Sequence, residues 1–291
     1  QDDGINTNED GVSVTTVNGG TLHIIAGLGA EGDGIDSNGY LVINGGTVVA
    51  SANPASDAGL DSDMGSFISG GTVVALGSTM DWAESDSNQV TMNLQFSQYQ
   101  SSGSAIVVTK EDGTVIFAYD PSEDEVLGEN MRQYMGAVIS CPAFTRGETY
   151  QLWLDGTVTG TETGGMYTSV TAYSGGTQMQ YTGTDVGMGG IGGPRPEGGM
   201  PEDSDGRRPQ AGDFTPPDGD TGGQPPEKPD GDAPGAPGDG TPPDGERPTL
   251  PEGETMPDRQ PPEGGQNAAG EASTGFYMND MVNSFSGITA V

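Results

Sequence analysis

Three copies of one short pattern occupy residues 1–81, and they restrict the possible folds more than any other feature of the chain. GDGIDSNGYLVINGGTVVAS, residues 32–51, is followed by AGLDSDMGSFISGGTVVALGS, residues 58–78. Gly34, Asp36 and Asn38 thereby align with Gly59, Asp61 and Asp63. A looser copy precedes both and places Gly4, Asn6 and Asn8 in the same columns. The Gly-Gly-Thr triplets ending at Thr21, Thr47 and Thr72 step by 26 and then 25 residues. A fixed period of this length marks a solenoid, in which each repeat buries its apolar side chains only by stacking on its neighbours.

Each copy carries a β-branched run after Gly-Gly (Thr47-Val48-Val49, Thr72-Val73-Val74) and an earlier run (Leu41-Val42-Ile43, Ser66-Phe67-Ile68). Such runs, bounded by glycine and polar residues, read as strands. No helical period separates them, so the expected fold class is all-β. Its core is a parallel β-helix, with equivalent strands stacked about 4.8 Å apart. Glycines form the corners, small apolar residues form inward ladders, and Asp and Asn in the turns form outward columns.

Charge narrows the partners. The formal net charge is -34, and no Lys or Arg precedes Lys110. Nucleic acid is excluded as a partner, because phosphate binding draws its affinity from cationic side chains. Insertion into a membrane is not expected either, since no apolar stretch is long enough to span a bilayer, and anionic lipid surfaces are disfavoured by charge. The single cysteine, Cys141, rules out an internal disulfide. The start at Gln1, inside a repeat and without a signal peptide, leads us to expect a mature or trimmed piece with further coils upstream.

Beyond the repeats, residues 82–186 read as a mainly antiparallel β module. Val90, Met92, Leu94 and Phe96 alternate, and Asp112-Gly113 separates two β runs as a hairpin turn does. Residues 187–272 form a Gly/Pro-rich acidic insertion of low complexity, with too little apolar surface to offset its ordering entropy. Residues 273–291 regain Phe276, Met278, Met281, Val282, Phe285 and Ile288, and should supply a closing strand of the module.

GDGIDSNG followed by INGGTVV, then VVALGSTMDWAE, FTRGETYQLW and GTVTGTE resemble a bacterial family of secreted, calcium-binding, carbohydrate-binding β-helix proteins. That family is similar in architecture to pectate lyases and binds cellulose and polygalacturonate. The resemblance implies a right-handed helix, an extracellular or cell-surface location, and Ca²⁺ ligands among Asp33, Asp36, Asn38, Asp61 and Asp63. Asn6 and Asn8 depart from the pattern in the first copy.

The residues themselves support a metal site independently. Ca²⁺ needs six to eight oxygen ligands, and carboxylates from stacked coils with glycine-freed carbonyls can supply them. Asp36 and Asp61, with Asp33, Asp57 and Asp63 nearby, would repel one another unless a cation or protons lay between them. The competing reading makes the same residues Asx-turn caps on a solvated acidic face. For sugar, the candidate rings are Tyr40, Trp82, Tyr99 and Trp153, with Tyr40 and Trp82 put first; Trp82 could equally cap the last coil, and Trp153 could pack between modules. The chain is not expected to be an enzyme. β-Helix lyases, by the resemblance, use Arg or Lys as base, and only Lys110, Arg132 and Arg146 precede Arg195. His23 reads as a ladder or surface residue and Cys141 as a small buried side chain. The expected function is therefore non-catalytic polysaccharide binding with Ca²⁺ as cofactor. A structural or adhesive surface solenoid, self-associating through its coil ends, is the alternative.

Overall fold

The computed structural model describes residues 3–8, 13–26, 32–53, 57–78, 81–101, 103–123, 133–186 and 271–291. The acidic insertion expected at 187–272 lies outside the described residues except for its last two. Among the described residues every regular element is a strand, apart from one 3₁₀ turn at Pro121–Glu123. None is a helix long and apolar enough to cross a membrane.

Each repeat supplies three short strands. The first gives β1 (Ile5–Thr7), β2 (Val14–Val17) and β3 (Thr21–Ile25). The second gives β4 (Ile35–Ser37), β5 (Tyr40–Ile43) and β6 (Thr47–Ser51), and the third β7 (Leu60–Ser62), β8 (Gly65–Ile68) and β9 (Thr72–Gly77). Equivalent strands pair in parallel and without slippage, as β1-β4-β7, β2-β5-β8 and β3-β6-β9. The three stacks face one core. Ile5, Ile35 and Leu60 enter it from the first, Val17, Ile43 and Ile68 from the second, Leu22, Val48 and Val73 from the third.

The glycine columns follow from this stacking. Gly46 and Gly71 have φ of 90° and 88°. A Cβ on Gly46 would lie 2.6 Å from Gly20 O, and one on Gly71 2.7 Å from Gly46 O. Only glycine tolerates both the left-handed backbone and that approach. Beside this corner, Asn44 Nδ2 donates to Asn18 Oδ1 at 2.9 Å, joining adjacent repeats by a side-chain rung.

The third stack does not end with the repeats. Here β9 pairs antiparallel with β13 (Tyr134–Ser140), and the sheet continues through β10 (Thr91–Gln100) and β19 (Val282–Ala290). Next come β17 (Thr177–Gln180), β14 (Thr149–Leu154), β11 (Ile106–Thr109) and β12 (Val115–Tyr119), then β16 (Met166–Ser174) and the edge strand β15 (Thr157–Thr163). A short strand, β18 (Phe276–Tyr277), pairs with β14 off this path. The β15–β16 turn returns to the start of the sheet, where Gly164 lies against the His23 ring of β3 with no room for a side chain between them.

A second core fills the inside of this curved sheet. Val49, Val74 and Leu76 of the repeats meet Val90, Met92, Leu94 and Phe96, the four alternating residues around β10. The closing segment is central to it. Running parallel to β10 on one side and antiparallel to β17 on the other, β19 contributes Phe285 and Ile288, while Phe276 and Met278 are fully buried alongside. The Asp112-Gly113 turn joins β11 to β12, with Thr114 N–H donating to Asp112 Oδ1 at 2.9 Å.

Candidate cation site at the aspartate column

Asp36 and Asp61 lie inside strands, not in the turns where their neighbours place them by sequence. The triplets Ile35-Asp36-Ser37 and Leu60-Asp61-Ser62 alternate buried, half-buried, buried. Ile35 and Leu60 are fully enclosed, and Ser37 Oγ donates to Tyr40 O at 3.1 Å while Ser62 shares a 2.9 Å bond with Ser66. The aspartates therefore face outward between two inward anchors. Their backbones are direct partners in the ladder, Asn6 with Asp36 and Asp36 with Asp61.

Around this column the corner aspartates tie one repeat to the next. Asp33 N–H donates to Asp3 Oδ1 at 2.8 Å, Ala58 N–H to Asp33 Oδ1 at 2.6 Å, and Gly32 N–H to Asp57 Oδ2 at 2.7 Å. Asn6 Nδ2 donates to the other Asp3 oxygen. These bonds link backbone N–H groups 25 or 30 residues away, so the corner is a ladder between coils as well as a set of local turns. One accepted N–H does not exhaust a carboxylate, which offers about four lone-pair positions.

The electrostatics of the group are unbalanced. Burial, reinforced by Asp61, Asp57 and Asp3, pushes the Asp33 carboxyl up from its ordinary value of 3.8 to about 7 against the lowering effect of the Ala58 N–H. Burial, followed by Asp61, Asp3 and Asp63, pushes Asp36 up to about 6. Each is a carboxylate losing water while facing like charges, the two causes that disfavour ionisation. No Lys or Arg occurs in the repeats to offset them.

Among the described residues, no group of three or more His, Cys, Asp or Glu side chains is gathered closely enough to hold a metal ion. Asp33, Asp36, Asp57, Asp61 and Asp63 thus share one field without converging on one point. Asp63 is exposed and Asn38 half-buried, both just beyond the strand ends, where Asn38 N–H donates to Thr7 O and Asp63 N–H to Ser37 O. Carboxylate, amide and carbonyl oxygens are the donor types that a hard cation such as Ca²⁺ takes, in sets of six to eight with water. Two carboxylates of the neighbourhood were not among the expected ligands. Asp3 occupies the Asp33 column of the first copy, which the alignment of Gly4 with Gly34 already indicates. Asp81 accepts from Ser62 Oγ at 2.7 Å, and no repeat position signals it.

The candidate sugar platforms are all partly occupied by protein. Tyr40 is half-buried and tilted against Phe67, ring centroids 6.1 Å apart. Trp82 packs on the repeat core beside Ala83, which bridges to Ser66. Trp153 packs within the second module rather than between modules, its Nε1–H donating to Thr109 Oγ1 at 3.0 Å and its ring edge-on to Tyr173. Tyr99, near the end of β10, is the most exposed ring among the described residues. His23 stands in register with Val49, as a ladder residue does, and Cys141 is buried, which raises its thiol.

Comparison with known proteins returns nothing: no family model, no curated protein and no solved structure matches the chain. The site must be read from its own chemistry.

Proposed function

We propose that the chain is a secreted, non-catalytic carbohydrate-binding protein whose repeats wind as a right-handed parallel β-helix and hold Ca²⁺ along the aspartate column. One observation carries the reading: Asp36 and Asp61 are ladder partners, crowded by Asp33, Asp57, Asp3 and Asp63, in a region without a cationic side chain. Folding holds these carboxylates together, and a divalent cation relieves their repulsion more completely than protons do at neutral pH.

Asp36 and Asp61 would be the principal ligands, assisted by Asp33, Asp57, Asp63 and the amide oxygen of Asn38. Bound Ca²⁺ would supply charge neutralisation and open positions for oxygen ligands from outside, such as uronate carboxylates. The corner bonds from Gly32, Asp33 and Ala58 N–H groups hold Asp57, Asp3 and Asp33 in place, so the outward side chains of Asp36, Asp61 and Asp63 would be the ones that turn toward a cation. Such a surface would select polyanionic sugars through the cation, and would offer neutral glucans the exposed ring of Tyr99 and half-buried rings such as Tyr40 and Trp82.

Retention on insoluble polygalacturonate and on cellulose, each with Ca²⁺ and with chelator, tests this. Retention on polygalacturonate is expected in Ca²⁺, falling at least about tenfold on chelation, a loss of roughly 1.4 kcal/mol or more in binding. No retention on either polymer in the presence of Ca²⁺ would overturn the reading.

A further inference from the structure

On the outer face of the second module, two rings are held in fixed positions beside amide side chains. Along β14 the residues Tyr150, Leu152 and Leu154 enter the second core, while Gln151 and Trp153 point the other way and stay half-buried. Strand alternation puts both on one face. The ladder partners of Trp153 are Val107 of β11 and Gln178 of β17, which share that face. Gln178 is half-buried too, and among the described residues neither the Gln151 nor the Gln178 carboxamide is in a hydrogen bond.

Tyr173 of β16 stands at 72° to Trp153 with ring centroids 6.5 Å apart, so the two rings make a corner. Their polar tips are taken up by protein. The indole N–H donates to Thr109 Oγ1 at 3.0 Å and the Tyr173 hydroxyl to Asp155 O at 3.1 Å. Two glycines shape a slot for Tyr173: a Cβ on Gly176 would collide with its hydroxyl, and one on Gly156 would lie 2.9 Å from its Cε2. Asp155, whose carbonyl receives that hydroxyl, has φ of 61° and is the one non-glycine residue with a left-handed backbone among the described residues. Strain of this kind gathers where a geometry serves a site.

The rings also cover Val107, Ala118 and Val158, which accounts for apolar side chains here but not for the carboxamides beside them. Charge selects the occupant. TYQLWL, TQMQ and MYTSVTAYS contain no charged residue, in a chain carrying 43 acidic ones. An ionic ligand finds no counter-charge on these strands. A neutral polyhydroxylated chain finds ring surface for its C–H faces and amides that both donate to and accept from its hydroxyls.

We propose that this face binds a neutral polysaccharide, with Trp153 and Tyr173 stacking on the sugar and Gln151 and Gln178 bonding its hydroxyls. The site shares no residue with the aspartate column and needs no metal; it rests on the reading of the chain as a carbohydrate-binding protein. Because the rings are locked before a ligand arrives, binding loses little entropy in ordering them.

Calorimetric titration of the full chain in chelator tests it, with cello-oligosaccharide and xylo-oligosaccharide as neutral probes and oligogalacturonate as the anionic one. A neutral probe should bind at least about tenfold more tightly than the anionic probe. In a Trp82→Phe variant, where Trp153 is the remaining indole, the neutral probe should also shift the tryptophan emission. Gln178→Ala should keep the wild-type melting temperature and weaken binding about threefold to tenfold, as the loss of one hydrogen bond does. Trp153→Ala, where it folds, should weaken binding at least about thirtyfold. Asp36→Asn/Asp61→Asn should bind the neutral probe as the wild type does. Absence of binding by both neutral probes, an unmoved Trp153 emission, or wild-type affinity in Gln178→Ala would each overturn the proposal. If Ca²⁺-dependent retention on polygalacturonate persists in that event, this site alone fails; if it is absent as well, the carbohydrate-binding reading fails with it.

Discussion

At pH 7.5, adding Ca²⁺ to the chelated protein is expected to raise its melting temperature by about 5–10 °C. Ligand at a hundred times its dissociation constant stabilises by about 2.7 kcal/mol, and about 2–4 °C accompany each kcal/mol in a chain of this size. The effect has a pH signature. Asp33 and Asp36 titrate near 7 and 6 in the folded chain against 3.8 when unfolded. Between those values the folded state holds protons that the unfolded state has released, so stability is complete below about pH 4 and declines as pH rises to about 7. Burial is the first cause of both shifts, and Asp3, Asp57, Asp61 and Asp63, which face the pair from adjacent repeats, add to it. In chelator the melting temperature should therefore fall from pH 4.5 to pH 7.5. Ca²⁺ should remove most of that fall and have little effect at the acid end, where protons already neutralise the column. Equal shifts with Ca²⁺ at both pH values would detach the stabilisation from these aspartates.

Removing residues 275–291 is expected to abolish cooperative folding. They include β19, which lies between β10 and β17, and their loss leaves both neighbours with unpaired backbone. Phe276, Phe285 and Tyr181 form a mutually packed trio with ring centroids 4.8–4.9 Å apart. Each buried phenylalanine contributes about 3–5 kcal/mol. With Met278 and Ile288 lost as well, at about 2–5 kcal/mol each, the deficit reaches the roughly 5–15 kcal/mol that holds a typical domain folded. The truncated chain should show no thermal transition by circular dichroism. A transition at the wild-type temperature would mean that β19 is dispensable to the sheet.

The repeat was legible in sequence because stacking imposes columns. Gly4, Gly34 and Gly59 align because each presses on backbone, Gly4 on Gly34 O, Gly34 on Gly59 O, and Gly59 on Leu76 N and Ala50 O. The ladder pairs Asp36 with Asp61 as the alignment does. What escaped the sequence has physical reasons too. A three-residue strand such as Ile35-Asp36-Ser37 shows a single alternation, which a glycine-rich flank disguises as a turn. Nothing local in Val282–Ala290 indicates that it becomes an interior strand, since its partners Thr91–Phe96 lie far earlier in the chain. The third stack reads as the end of a solenoid, yet Val73–Gly77 continues into β13 because its outward residues Val74 and Leu76 are apolar and need a cover. Trp82 gives no sign in sequence of its neighbours; in the fold it packs, partly buried, against the repeat core.

The central claim is that in-register aspartates of successive repeats bind a divalent cation. Its most direct test is the calcium content of the protein, by elemental analysis after exhaustive dialysis against micromolar Ca²⁺, for the wild type and for an Asp36→Asn/Asp61→Asn variant. Asparagine already occupies this column at Asn6, so the substitutions fit the ladder. Calcium retained in fixed ratio to the wild-type chain and reduced in the folded variant is the predicted result. Equal calcium in both, or none in the wild type, would contradict it.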